Sequence, residues 1–264
     1  MSSLFAKLSM DFAANTPIQS VTLYLFFAAT VAMGAATVYF LYERSGVPAR
    51  YQGVMTVAAL VTGIACFHYF KMTDQYASGG TFPTALRYVD WLFTTPLLLV
   101  KFPLLLQLGS RGKKFFLQLV VLDVAMVVTA FIAETSPIGS SSWWMFFAIA
   151  CVFELLIVAV LFLSLGGAIR SAPGPIADAL QTMRLFILIG WAIYPIGFLM
   201  ALLGAGEYRE IAYNIADVIN KVGFGLVAFT GVKALASKDE IVLRSPAVSP
   251  EANRTEATYA NSNR

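Results

Sequence analysis

The chain has 264 residues, of which 58% are hydrophobic and only 12% charged, with a formal net charge of +3; its mean hydropathy is +0.73. These values exclude an ordinary water-soluble domain, which carries about twice that charged fraction, and they make a lipid bilayer the solvent against which the sequence is read. The small positive charge comes from basic residues at the ends of apolar runs and gives no argument for nucleic-acid binding.

A spanning helix needs about 20 predominantly apolar residues. Seven runs meet that need, at residues 19–42, 51–70, 85–108, 115–133, 143–165, 185–203 and 211–234. They are continuously apolar or helix-periodic, without the alternating ten-residue units of an outer-membrane barrel. Connections such as ERSGVPAR and LGSRGKK leave no room for an extramembrane domain. Arg44, Arg50, Arg111, Lys113, Lys114, Arg170, Arg184, Lys238 and Arg244 fall on one side, against Lys7, Lys71 and Arg209 on the other. The positive-inside rule then gives an all-α membrane protein, a seven-transmembrane-helix bundle with its N-terminus extracellular and its C-terminus cytoplasmic.

The expected divisions are an extracellular segment at 1–18, the bundle at 19–235 and a polar, flexible cytoplasmic tail at 236–264. Residues 1–18 lack the basic and apolar regions of a secretory signal. Cys66 and Cys151 lie inside apolar runs and suggest neither a disulfide framework nor a metal site.

Polar residues at membrane depth must find a partner or a cavity, so they are functional candidates. In chain order they are His68 and Tyr69; Arg87, Asp90, Thr94, Thr95 and Lys101; Asp123; Glu154; Tyr194; and Asp217 and Lys221. At ~100° per residue, Arg87, Asp90, Thr94 and Lys101 share one face of the third helix as a column about 20 Å long. Asp217 and Lys221 stand at i and i+4 on the seventh. Such a pair could be purely structural; the further Asp and Arg at similar depth on the third helix make a switchable charge site the better reading.

Together with these residues, HYFKM, RYVDWLFTTPLLL, the WW pair at 143–144, WAIYPIG and NIADVINKVGFGL resemble the microbial rhodopsins, and most closely bacterial proton pumps of the proteorhodopsin and xanthorhodopsin type. The blocks lie in order in five of the seven runs. The resemblance implies a light-driven outward proton pump, not an enzyme, in the cell membrane, with all-trans retinal bound to Lys221 as a protonated Schiff base. It makes Asp90 the primary counterion and proton acceptor, and Asp217 the second counterion. Arg87 would bias both carboxylates toward the ionised form, Thr94 would hydrogen-bond Asp90, and Tyr69 and Tyr194 would hold Asp217. His68 would couple to Asp90. Trp91, Trp144, Trp191, Tyr194 and Pro195 would form the aromatic box around the polyene, and Leu98 implies green absorption. Asp123 and Thr95 match a structural bridge between the third and fourth helices, and Glu154 has no role to carry over.

Lys101 departs from the family's commonest pattern, which has Asp or Glu there as the cytoplasmic proton donor. A subgroup with lysine at this place still pumps. The lysine is therefore read as a transient proton relay, against the alternative that its long stem snorkels to the headgroups. The resemblance also implies a homo-oligomer. It argues against a carotenoid antenna, because members with one have glycine at the place of Trp144, whose indole would close the opening. The competing reading is a slow-cycling photosensory rhodopsin that signals to a separate membrane partner.

Overall fold

The computed structural model describes residues 16–79 and 82–244. Among them are seven helices of membrane length and apolarity: Pro17–Gly46, Ala49–Ser78, Thr84–Leu105, Gly112–Thr135, Ser141–Ser164, Gly174–Leu203 and Gly206–Lys238. No strand occurs among the described residues. The first five helices pack as neighbours in chain order, and the seventh packs against both the sixth and the first, closing the bundle.

The seven expected runs are the centres of these helices, but several ends differ. The second helix continues to Gly79, because Met72, Thr73 and Tyr76 extend its buried face beyond the apolar stretch. The sixth starts at Gly174 rather than near Leu185: Pro175 stands in its first turn, and Ile176, Ala177, Leu180 and Met183 form a buried stripe beside polar Asp178, Gln181 and Arg184. A search for continuous apolarity misses such an amphipathic extension. The last helix runs on to Arg244, so the first residues assigned to the tail are helical. Residues 1–15 and 245–264, which hold most of the two expected terminal segments, lie outside the described residues.

Local signals explain the remaining ends. Thr16 caps the first helix reciprocally with Gln19, and Pro17 occupies its opening turn. Ser140 caps the fifth through the Trp143 amide. Three helices change to π-helical hydrogen bonding for one turn, at Val160–Ser164, Phe186–Gly190 and Ile219–Gly223. Such turns shift the facing of every later residue and commonly mark functional sites. One contains Lys221, and another immediately precedes Trp191.

The two halves of the bundle differ in chemistry. Toward the connections at 44–51 and 105–112 lies a large apolar core that includes Leu99, Phe102, Leu161, Leu180, Ile187 and Phe224. Toward the opposite end, buried Arg87, Glu210 and Asn214 are held among Phe26, Tyr69, Tyr76 and Tyr213.

Candidate functional site

The third helix carries Arg87, Asp90, Thr94 and Lys101 on its buried face, each at 1% exposure or less. The seventh brings Asp217 and Lys221 to the same depth. Lys221 Nζ lies 2.8 Å from Asp217 Oδ2 and 3.0 Å from Asp90 Oδ2, so one amine sits between two carboxylates in a water-poor interior. The carboxylates are served unequally. Asp217 accepts hydrogen bonds from Tyr194 Oη at 2.5 Å, Tyr69 Oη at 2.8 Å, Trp91 Nε1 at 3.2 Å and Lys221. Asp90 has the nearby amine, and His68 Nδ1 at 3.6 Å.

That His68 contact is close enough for charge coupling but too long for a hydrogen bond. The same Nδ1 lies 2.9 Å from the Ile64 carbonyl, one turn back on its own helix. A carbonyl only accepts, so Nδ1 carries its proton there. Thr95 Oγ1 donates to Asp123 Oδ2 at 2.7 Å, bridging the third and fourth helices.

From Lys221 an apolar cavity extends between the third to seventh helices. Its walls include Trp91, Leu98, Trp191, Tyr194 and Pro195, as the aromatic-box reading expects. The donor set fits an aldehyde-bearing polyene: a buried amine at the wall can form a covalent imine, two carboxylates compensate its charge, and aromatic faces confine a flat chain.

Two expected placements, those of Trp144 and Thr94, need correction. Trp144 is 46% exposed and lies outside the cavity wall. Adjacent helical residues are ~100° apart, so only one indole of the pair can face inward. That one is Trp143, stacked on Phe198 at 4.3 Å, while Phe147 and Phe198 line the cavity. Tyr69, fully buried, holds Asp217 as expected and does not itself line the cavity. Thr94 Oγ1 donates to the Asp90 main-chain carbonyl at 2.8 Å rather than to the carboxylate, a bond that helix geometry offers any threonine. Arg87 makes no direct ion pair with Asp90 or Asp217, so its influence on their carboxylates acts through space. Its Nη1 meets Glu210 Oε2 at 3.1 Å and its Nη2 meets Asn214 Oδ1 at 2.6 Å, with Phe82 4.5 Å from the guanidinium.

Arg87 thereby begins a chain of charges that the sequence reading missed. Arg209 Nε donates to Glu210 Oε1 at 2.8 Å, and Arg209 Nη1 to Glu134 Oε1 at 2.5 Å. A polar surface cavity lined by Glu134, Glu207, Arg209 and Glu210 opens onto this chain. In the other half Lys101 is fully buried. Its Nζ has no hydrogen-bond partner among the described residues and lies 5.1 Å from the Phe224 ring centroid. The side chain does not reach the surface, contrary to the snorkelling alternative.

Asn220 was also missed. Its Nδ2 donates to the Gly190 carbonyl at 3.0 Å and to Tyr194 Oη at 3.3 Å, tying the π-helical turn at Lys221 to the one before Trp191. A Cβ at Gly190 would collide with the Asn220 amide, so glycine is required for this approach. The asparagine was visible next to Lys221, but without the register shift of the π turn its facing could not be worked out.

Seven membrane-length helices with a buried lysine held between two aspartates at the wall of an aromatic cavity define a retinal-protein architecture, and the comparisons agree. The chain belongs to the bacteriorhodopsin-like protein family, whose model matches residues 20–235, and within it to the microbial rhodopsins of the proteorhodopsin type; it is a multi-pass cell-membrane protein. It is 36% identical over 208 residues to the green-light absorbing proteorhodopsin of Gamma-proteobacterium EBAC31A08, covering 76% of this chain and 82% of that one. Among solved structures, the rhodopsin of Exiguobacterium sibiricum superposes with a TM-score of 0.76 at 46% identity, over 82% of this chain and 97% of that one. Xanthorhodopsin, described as a light-driven ion pump with dual chromophore, gives a TM-score of 0.80 at 28% identity, over 85% and 97%.

Proposed function

We propose that this chain is a light-driven proton pump that moves protons outward. Retinal, held on Lys221 in the all-trans form as a protonated Schiff base, would supply light absorption and the change of shape that releases a proton. The observation that carries the reading is the amine of Lys221 lying 2.8 and 3.0 Å from two carboxylates, at the junction of a polar half and an apolar half of the bundle. The similarity to a green-light absorbing proteorhodopsin and to a light-driven ion pump supports it.

The residues divide the work. Asp217, already supplied with four donors, stays as the fixed counter-charge. Asp90, which among the described residues has the Lys221 amine at 3.0 Å but no satisfied hydrogen bond, gains most from accepting the proton that leaves Lys221 Nζ. The charge of Asp90 then changes beside His68, whose Nδ1 lies 3.6 Å from its carboxylate. Arg87, Glu210 and Arg209 continue to the polar cavity, which gives a released proton its way out. Lys101, buried in the apolar half with no hydrogen-bond partner for Nζ among the described residues, receives a proton from the cytoplasmic side and returns it toward Lys221. The orientation follows from the distribution of Lys and Arg among the connections, and Leu98 in the cavity wall supports green absorption.

The test is the pH of an unbuffered suspension of retinal-supplied cells under green light, with and without a protonophore. Acidification abolished by the protonophore is expected. A bleachable pigment without any pH change would refute pumping and favour the photosensory reading.

A further inference from the structure

Glu154 is the one carboxyl of the cavity wall that the proposed transport path does not use. It lies in the apolar run CVFELLIVAVLF, where an ionisable side chain is costly unless something uses it. Val152, Leu155 and Leu156 around it are turned outward and exposed, whereas Glu154 lines the cavity one turn beyond Ala150 and Cys151. No hydrogen bond or ion pair to it is found among the described residues. The fifth helix packs against the fourth, while the seventh packs against the sixth and the first, so Glu154 stands across the cavity from Lys221.

We propose that Glu154 is a second electrostatic control on the chromophore, a carboxyl at the end of the cavity remote from Lys221 whose ionisation moves the absorption to longer wavelength. The inference rests on the retinal reading. In a conjugated iminium the positive charge is concentrated at the nitrogen in the ground state, and excitation moves it toward the other end of the polyene. Charges at the two ends therefore act oppositely. Asp90 and Asp217 beside Nζ stabilise the ground state and widen the gap. An anion at the far end stabilises the excited state and narrows it, and the low polarity of the cavity leaves that interaction weakly screened.

Other groups lining the cavity can be separated from Glu154. Its own helix contributes Cys151, the third Tyr88, the sixth Tyr194, and the seventh Tyr213, Asp217 and Lys221. The fourth contributes Met126, Val127 and Ala130 there, its Asp123 being turned to Thr95. Arg209 and Arg87 are engaged with Glu210 on the polar side. Ionisation of Asp90 or Asp217 beside the nitrogen moves the band to shorter wavelength, and so does loss of the proton at Nζ. A shift to longer wavelength on raising the pH thus has the sign that belongs to the remote end.

The experiment is the absorption maximum of the purified full chain, reconstituted with all-trans retinal, across roughly pH 5 to 10. Wild type is compared with Glu154→Gln and Glu154→Leu, and with Cys151→Ser as a control for the thiol on the same face. Wild type should show a transition to longer wavelength as pH rises. Both Glu154 variants should lose it and match the acid form of the wild type, and Cys151→Ser should keep it. Absence of the transition in wild type, or its persistence in Glu154→Gln, overturns the proposal, as does a variant that changes only the oligomeric state. Failure of every protein, wild type included, to form a visible pigment would refute the retinal reading itself.

Discussion

Lys101→Met tests the least usual feature of the bundle, a fully buried amine without a hydrogen-bond acceptor. Methionine keeps most of the length and volume of the stem and removes the amine. An unpaired buried polar group costs about 1–3 kcal/mol in mutational data, and an amine that rests neutral, as a relay waiting to receive a proton must, draws no cation–π return from the Phe224 ring at 5.1 Å. Its removal predicts a protein more stable by roughly 1–2 kcal/mol. Each kcal/mol corresponds to about 2–4 °C in the temperature at which the pigment bleaches in detergent.

Function should move the other way. A positioned proton donor is worth about 10²–10⁴ in rate, so recovery of the dark-state absorption after a flash should slow by roughly 10²-fold, and an added small weak acid should restore part of the rate. More stable and slower is the signature of a functional residue kept at a structural cost. Unchanged recovery in Lys101→Met would refute the relay. Bleaching at lower temperature would refute the idea that the amine is unpaired.

Gly190→Ala should lower the bleaching temperature, since overpacking the Asn220 contact costs about 1–3 kcal/mol; adding Asn220→Ala should recover much of the loss, and failure to do so would mean that the clash lies elsewhere. Glu210→Gln removes the carboxylate shared by Arg87 and Arg209. Breaking a buried pair costs about 3–5 kcal/mol, so this variant should be less stable and should delay the appearance of protons in the medium, read with a pH-sensitive dye. Trp144→Ala should leave the absorption maximum in place, because the indole lies outside the cavity wall, whereas Phe147→Ala should move it. A shift for Trp144→Ala alone would reverse the assignment of the two.

What the sequence made legible followed from periodicities that survive without tertiary information. Apolar runs located seven spans. The i, i+4 spacing put Asp217 beside Lys221, and the eleven-residue step put Asp90 and Lys101 on one face. Partner choice across helices was not legible in the same way. The resemblance gives Arg87 an electrostatic influence on the two aspartates but does not name its direct partners; a guanidinium has five donors on a long stem, and they engage Glu210 and Asn214 on the seventh helix. Thr94 was assigned to a side chain although its own helix offered a carbonyl. The facing of Trp144 and Glu154 depended on the rotation of a fifth helix that is apolar nearly all round, so no stripe fixed its phase. The π-helical turns have no hydrophobic signature at all, and they determine how Asn220 meets Gly190.

Direction is the property that the proposed pump must supply beyond absorbing light, and the two halves would supply it differently. A proton placed on Asp90 has a buried arginine and a carboxylate on one side, leading to a polar cavity. On the other side it has leucines and phenylalanines with a single lysine among them. In the proposed pump the outward route is thus already lined with polar groups, while the cytoplasmic route has to be opened. Asn220 joins the turn bearing Lys221 to the turn preceding Trp191, so a movement at the lysine is transmitted directly to the sixth helix. In the proposed cycle, access should therefore change on the Lys101 side and only after Asp90 has been neutralised, which is the order that prevents the proton from returning by the way it came.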